Sequence, residues 1–196
     1  NALLTEDELK GSHAGKGVFF ADAYIFCGAG HLGLEYDRLF ALGFGGIRQL
    51  ILDQMATLNM SDPEDIKRHA FYEAELIVNQ AATDHILRYA DLAREKAESC
   101  QAATRAAERR KIADNCQWIS ANPPRTFWEG IQLVHLANSM IHIECNGHSI
   151  SYGRFDQYMY PLYKHDLETG EATREFCQEL IENFGIKVWD ENKLRN

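Results

Sequence analysis

Residues 62–99 constrain the fold more than any other segment, because they predict one helix of about ten turns. Asp62 stands at the N-cap position, Pro63 follows at the first helical position, and Glu64 and Asp65 lie in the first turn. An apolar stripe then recurs at helical spacing and has to be buried against other elements. The stripe comprises Ile66, Phe71 (or Ala70), Ala74, Ile77, Ala81, Ile86, Tyr89, Ala90 and Ala93. The sequence therefore predicts a mostly α-helical chain.

Two further helices are predicted around this one. Apolar residues recur at helical spacing from Asp37 onwards, which predicts a helix, and a group of glycines weakly interrupts this pattern. These are Gly43, Gly45 and Gly46. Residues 104–119 form the other helix, and the turn Asn122-Pro123-Pro124 stops it because a residue before proline is pushed out of the α region.

The C-terminal third carries clear helix caps. Thr126, with Glu129 three residues later, forms a capping box, and the helix that it begins is apolar on nearly all sides and should be buried. A shorter amphipathic helix lies within 154–170 and ends in a turn at Thr169-Gly170, and Thr173 caps a last helix. Short strands are predicted near 18–27 and near 147–153.

Composition excludes several classes of function. Formal net charge is 20 − 29 = −9, whereas a nucleic-acid partner requires a basic face. There is no apolar run long enough for a membrane span and no signal-peptide pattern, so a cytoplasmic protein is predicted. Five cysteines without any C-x-x-C pair indicate reduced thiols. Because the chain begins at Asn1 and stops inside a helical pattern, it is interpreted as a piece of a larger protein, with 1–196 forming one domain or part of one.

Polar side chains crowd the stretch Ile143 to Pro161, directly behind an apolar segment. A metal site is one interpretation, with candidate ligands His135, His142, Glu144, Cys145 and His148. The spacing is unlike a zinc motif, and the H-x-E text at 142–144 is not followed by P-C-x-x-C. We therefore predict no metal and expect the first two histidines to be buried or half-buried helix residues. Hydrolysis by a nucleophilic serine is disfavoured because there is no G-x-S-x-G.

Two histidines that each follow a glycine suggest a binding site instead. His31 ends the text GAGH, and His148 with Ser149 stands in NGHS. Two neutral imidazoles and a hydroxyl can donate to or accept from a small polyhydroxy substrate. The alternative, that both histidines cap helix ends, stays open at this point.

Several stretches closely resemble the glycyl radical enzymes, the pyruvate formate-lyase-like family that includes diol dehydratases, choline trimethylamine-lyase, isethionate sulfite-lyase and hydroxyproline dehydratase. The matching texts are PPRTFWE, NGHSISYGRFDQYMYP and NKLR, with GHLGLEYDRLFALGFGGI and FYEAELIVNQAATDHILRYADLA upstream. The resemblance implies that 1–196 is an internal piece of a ten-stranded α/β barrel with surrounding helices, in an enzyme roughly four times as long.

The resemblance also implies a radical mechanism whose initiating groups lie elsewhere. A glycyl radical, installed by a radical SAM activating enzyme, takes a hydrogen from a barrel cysteine, and the resulting thiyl radical takes one from the substrate. The family's cysteine loop carries C-x-E and its glycine loop R-V-x-G-[YF], and neither motif, and so neither loop, is expected in this chain. No catalytic residue is therefore expected in it, and alone it should be inactive. The parent is expected to be a homodimer.

Within the family, a diol dehydratase acting on glycerol or propane-1,2-diol is the favoured hypothesis. The resemblance implies that His31, His148 and Ser149 hold the substrate hydroxyls. Choline lyases share NGHS-like text, and Asp22 or Glu35 can supply an acidic group for choline, so that alternative stays open. No arginine neighbours His31, which argues weakly against a sulfonate such as isethionate. An alternative of another class is a non-catalytic, truncated helical module.

Residues after the NGHS text are predicted to be structural. Arg154 and Asp156 are expected to form an internal ion pair or a cap that fixes the His148 segment. The neighbouring tyrosines are expected to be mainly packing residues. They are Tyr152, Tyr158, Tyr160 and Tyr163.

Overall fold

The structure is a computed structural model, and it describes residues 32–144 and 150–190. This part of the chain is mostly helical, as predicted, and none of its helices is long and apolar enough to cross a membrane. The elements are β1 (Leu32–Gly33), α1 (Tyr36–Ala56), α2 (Pro63–Glu98), α3 (Ala103–Ile119), α4 (Phe127–Glu144), β2 (Ile150–Ser151), α5 (Phe155–Thr169) and α6 (Arg174–Asp190).

Helix α4 lies at the centre of this arrangement. It packs against α2, α3, α5, α6 and β2, so its predicted burial is confirmed. The side chains that α4 buries are mostly apolar and include two polar ones. They are Phe127, Glu129, Ile131, Leu133, Val134, Leu136, Ala137 and Asn138. Helix α4 is thus the scaffold on which the neighbouring elements are placed.

The start of α4 is fixed by side chains on both sides. The backbone N–H of Glu129 donates to Thr126 Oγ1 at 3.2 Å, which confirms the predicted cap. The Glu129 carboxylate, 0% exposed, accepts from the backbone N–H of Arg125 at 2.7 Å and from its guanidinium at 2.6 Å. That guanidinium lies 3.8 Å over the ring of Trp118. In a standard capping box the Glu129 carboxylate would accept from the backbone N–H of Thr126. Here it accepts from the backbone N–H of Arg125, one residue earlier.

The long helix α2 is confirmed, but most of its predicted stripe is wrong, since only Ile86, Ala90 and Ala93 of that stripe are buried. Asp62 Oδ1 accepts from the backbone N–H of Glu64 at 2.9 Å, as an N-cap should. In the N-terminal half, Phe71 is 61% exposed and Ile77 71% exposed. The buried positions of α2 begin only at Asn79, because its packing partners cover the second half. The other buried positions are Ala82, Ile86, Ala90, Ala93 and Ala97.

The predicted glycine break is a kink inside α1. Gly43 has φ 63° and ψ 175°, which is non-helical backbone. A Cβ atom there would lie 2.5 Å from the carbonyl carbon of Asn122. The backbone N–H of Gly45 donates to Ala121 O at 2.7 Å, so α1 rests directly on the turn after α3.

The two short strands pair in parallel, with Leu32 opposite Ile150 and Gly33 opposite Ser151. Strand β2 lies inside the range predicted near 147–153, whereas β1 was not predicted. The strand predicted near 18–27 lies outside the described residues. Helix α5 ends as predicted, with Gly170 at φ 75° directly after it. Helix α6 begins as predicted, because Thr173 Oγ1 accepts a hydrogen bond from the backbone N–H of Phe176 at 3.2 Å.

Candidate substrate-binding loop

The three residues predicted to hold substrate, His31, His148 and Ser149, lie outside the described residues. The structure describes the chain directly after each of them, because Leu32 begins β1 and Ile150 begins β2. The structure therefore describes β1, β2 and the residues that contact them, and we call these the frame of the candidate site.

A cluster of four side chains holds this frame together. Asn138 of α4 donates from Nδ2 to Tyr152 Oη at 2.8 Å. Tyr158 of α5 donates from Oη to the backbone carbonyl of Tyr152, also at 2.8 Å. The ring of Tyr36, at the start of α1, stacks on Tyr158 at 4.8 Å and 20°. We call Tyr36, Asn138, Tyr152 and Tyr158 the loop clamp.

The loop clamp is largely buried. Tyr36 is 3% exposed, Asn138 0% and Tyr158 8%. Burial raises the pKa of the Tyr158 hydroxyl, and the nearby Tyr36 and Tyr152 raise it further. Tyr158 therefore keeps its proton and remains a donor to the Tyr152 carbonyl at neutral pH.

The clamp corrects the prediction that the tyrosines mainly pack. Tyr152 and Tyr158 pack against aromatic neighbours and also form directed hydrogen bonds. Tyr160 is 59% exposed, whereas Tyr163 packs edge-on against Phe127 at 5.7 Å. Sequence reasoning missed Asn138, although an amide in the middle of an apolar, buried helix signals a buried hydrogen-bond partner.

Arg154 and Asp156 form the predicted ion pair, but it lies at the surface. Arg154 Nη2 is 3.2 Å from Asp156 Oδ2, and the two side chains are 70% and 72% exposed. Their hydrogen bond lowers the pKa of Asp156 and raises that of Arg154. The pair is external rather than internal, because it stands where α5 begins and neither side chain turns inward. Its role in fixing the His148 segment stays a prediction.

The histidines of α4 lie where the sequence predicted them. His135 and His142 are half-buried helix residues, as expected. Among the described residues, no group of three or more His, Cys, Asp or Glu side chains is placed to hold a metal ion. Cys145 and His148, two of the three other candidate ligands, lie outside that part of the chain.

The cysteine prediction needs one correction. The letters C-x-E do occur, at Cys177-Gln178-Glu179. They lie inside α6, not in a loop, and Cys177 is 1% exposed. Burial raises the pKa of its thiol, and Asp166 raises it further. Cys177 is a free, protonated core thiol, as is Cys116, whose pKa burial raises to about 11.

A cavity of 470 Å³ lies beside the frame, between α1, α2 and α4. Its walls are mainly apolar, with Leu34 and Glu35 contributed from the residues just after β1. Glu35 forms an ion pair with Arg38 at 3.3 Å. His85, on the opposite wall, has a pKa lowered by burial and by Arg88, so its imidazole is neutral at pH 7. The cavity is better suited to apolar groups than to a polyhydroxy molecule.

The pyruvate formate lyase-like family model matches residues 2–196. The chain belongs to this family. It is 41% identical over 196 residues to the (2S)-3-sulfopropanediol dehydratase of Klebsiella oxytoca, and 36% identical over 191 residues to the probable dehydratase YbiW of Escherichia coli. These matches cover 100% and 97% of this chain but 24% of each relative, so the chain spans about a quarter of their length.

Solved structures of the same family share the fold. The glycerol-bound B12-independent glycerol dehydratase of Clostridium butyricum matches with a TM-score of 0.81 and 39% identity. A structure concerning 1,2-propanediol dehydration in Roseburia inulinivorans matches with a TM-score of 0.83 and 37% identity. Each of these two matches covers 86% of this chain and 21% of the chain in the solved structure. The helices described above therefore cover part of the barrel fold of glycyl radical enzymes, as the resemblance implied.

Proposed function

We propose that this chain is part of a longer glycyl radical dehydratase, the parent enzyme, and that the parent eliminates water from a vicinal diol. The observation that carries this proposal is the match along the whole chain, at 41% identity, to the (2S)-3-sulfopropanediol dehydratase. Structural neighbours concerned with glycerol and 1,2-propanediol dehydration support the same class. Nothing in these comparisons supports the choline alternative.

Within the parent, we assign His31, His148 and Ser149 to the substrate-binding wall. The parallel pairing of β1 and β2 supports this assignment, because Leu32 and Ile150, which directly follow His31 and Ser149 in sequence, lie opposite each other.

The proposed chemistry of these residues is the holding and release of hydroxyl groups. Two hydroxyls on adjacent carbons are held by imidazole nitrogens and the serine hydroxyl. His148 donates a hydrogen bond to the departing hydroxyl and, when its imidazole is protonated, can pass it that proton, so that the hydroxyl leaves as water and the imidazole becomes neutral. In the parent, a glycyl radical installed by a radical SAM activating enzyme would supply hydrogen abstraction, and we assign no part of that step to this chain. We also propose that the parent is a cytoplasmic homodimer.

The substrate is tested on the activated full-length parent. The assay compares propane-1,2-diol, glycerol, 3-sulfopropanediol, isethionate and choline at equal concentration. We expect turnover of at least one of the three diols with release of water. Turnover of isethionate alone would instead support a carbon–sulfur lyase like the isethionate sulfite-lyase of Bilophila wadsworthia, which is 36% identical over 150 residues.

The assignment of His148 is tested by His148→Ala in the activated parent. Loss of a hydroxyl-binding general acid should lower kcat/KM for the preferred diol by about 100-fold or more. Glycyl radical content, measured by electron paramagnetic resonance, should stay unchanged because the radical residues lie elsewhere. His69→Ala is the control, since His69 lies in α2 beside Glu73. Normal turnover by His148→Ala would rule out the assignment.

The alternative of a non-catalytic helical module is tested at the gene. A reading frame that continues past Asn196 into a loop reading R-V-x-G-[YF] supports the parent enzyme. A stop codon directly after Asn196 would leave only the helical module.

A further inference from the structure

A groove of about 570 Å³ lies between α2, α3, α4 and α6. Aliphatic and aromatic side chains from all four helices form its floor and walls. They include Leu92, Ile112, Trp128, Ile131, Leu180 and Phe184. On the α2 side, Tyr89 and Leu92 are each 43% exposed. Large apolar side chains that line an open groove are typical of a surface that contacts another segment.

The charged side chains that line this groove are all cationic. They are Lys96, Arg105, Arg109 and Lys187, and we call the groove with this rim the basic groove. No Asp or Glu among the described residues lines it, although the chain as a whole has a net charge of −9. The basic groove is therefore a local reversal of the sign of charge.

Two of the four rim cations have acidic partners and two do not. Arg105 lies 2.6 Å from Glu108, and Lys187 lies 3.3 Å from Asp190. Lys96 and Arg109 form no ion pair with any acid in the part of the chain that the structure describes. Their positive charges are thus left for a partner that stands outside this part.

The two cations without acidic partners are held at one place on the rim. Arg109 Nη1 donates to the backbone carbonyl of Lys96 at 2.6 Å, which ties α3 to the last turn of α2. Arg109 is half-buried. A half-buried cation is stabilised by a carboxylate close to it, because its lost hydration is then replaced by a charge-assisted hydrogen bond.

An apolar floor with a cationic rim fits a polypeptide segment that carries apolar side chains and an acid. The chain spans 24% of the length of each of two relatives that it matches, so a parent of that length has most of its residues outside 1–196. A segment of the same polypeptide also docks at a lower entropic cost than a separate molecule, because it is already tethered.

We propose that the basic groove is the docking site for a segment of the parent that lies outside residues 1–196. This segment places apolar side chains on the groove floor and one Asp or Glu beside Lys96 and Arg109. The proposal rests on that part of the proposed function which makes this chain a piece of a longer parent. It does not depend on a diol as the substrate.

Zero-length cross-linking of the full-length parent tests this docking. A carbodiimide joins a lysine amine to a carboxylate only where the two are in contact, and mass spectrometry of the digest identifies the joined peptides. We expect Lys96 to be joined to an Asp or Glu outside residues 1–196. Lys187 is the internal standard for the reaction, because Asp190 lies 3.3 Å from its amine.

An equal mixture of isotope-labelled and unlabelled parent shows which molecule supplies the acid. A cross-link within one polypeptide joins peptides of the same label and supports the proposal. Mixed labels would show that a second copy fills the groove and would overturn it. Lys96 joined only to acids of residues 1–196, or not joined while Lys187 reacts, would also overturn it.

A charge swap then tests whether the contact is energetic. Lys96→Glu should lower the midpoint of thermal unfolding of the parent by several degrees, because it places two carboxylates together. Changing the cross-linked acid to lysine in the same variant should restore the midpoint. Lys67→Glu is the matched control, since Lys67 lies on the same helix, 73% exposed and paired with Glu64, and the same acid-to-lysine change should not restore it. No recovery in Lys96→Glu would overturn the proposal.

Failure of this inference and failure of the proposed function give different results. A parent that shows the expected cross-link but turns over no diol would support the docking site and refute the proposed function. A parent that turns over a diol but lacks the cross-link would refute the docking site alone.

Discussion

At the scale of single residues, Gly43 decides how closely α1 approaches the turn after α3. Its φ of 63° lies in the region that side chains disfavour. The space is also occupied, because a Cβ atom would stand 2.6 Å from Ala121 O and 2.7 Å from Pro123 N. All of these close neighbours are backbone atoms, which cannot rotate away as a flexible side chain would. Gly43 is therefore required by both conformation and space.

We expect Gly43→Ala to destabilise the fold by about 3 kcal/mol or more, from backbone strain together with the steric clash. The measurement is the midpoint of thermal unfolding of the full-length parent. Gly185→Ala is the control, because Gly185 lies in α6 with nothing within 4 Å of the added Cβ. That change should raise stability by up to about 1 kcal/mol, since alanine favours helix over glycine. Equal effects of the two changes would contradict our account of Gly43.

At the scale of elements, the start of α4 is fastened by a side chain from another helix. The backbone N–H of Phe127, one of the donors at the helix start that has no partner within the helix, donates to Asp166 Oδ2 at 2.7 Å. Asp166 belongs to α5 and is 1% exposed. A carboxylate at this position also interacts favourably with the positive end of the α4 dipole. This buried acid therefore helps to fix the position of α5 on α4.

We expect Asp166→Ala to cost about 1–3 kcal/mol of stability, because the buried N–H of Phe127 loses its acceptor. Asp166→Asn is the matched control, since its amide oxygen can still accept that hydrogen bond. Thermal unfolding of the full-length parent measures both, and asparagine should retain most of the stability that alanine loses. A loss in asparagine as large as that in alanine would show that the negative charge, and not the acceptor, matters.

At the scale of the whole molecule, the described surface exposes many large apolar side chains. On α2, Phe71 is 61% exposed, Ile77 71% and Val78 68%. On α6, Ile186 is 61% exposed and Trp189 74%. Exposed apolar groups of this size are typical of interaction surfaces. The chain spans about a quarter of the length of the relatives it matches.

We expect the isolated 196-residue chain to self-associate, as size-exclusion chromatography with light scattering would show. Replacing Ile77 and Val78 by serine should reduce the mean particle mass. The control replaces Glu73 and Glu75, two charged neighbours on the same helix, by serine and should leave self-association unchanged or increased. A monomeric chain with one cooperative melting transition would contradict this expectation.

The helices were the most predictable part of the fold because their signals are local. Asp62 with Pro63 and Thr126 with Glu129 identified the helix starts correctly, since a cap depends on residues two to four positions away. The buried face of α2 was predicted only in part, because burial depends on which helices lie alongside. The ion pair of Arg154 with Asp156 was predicted correctly, but its exposure was not.

The sequence by itself determined the family and the helix starts, because motifs and caps depend on residues that lie close together in the chain. The roles of His31, His148 and Ser149 stay predictions. Only the tertiary structure decided that β1 and β2 pair in parallel and that Asn138, Tyr152, Tyr158 and Tyr36 meet. These contacts join residues far apart in the chain. They form only when packing around α4 brings them together, and no local propensity encodes that.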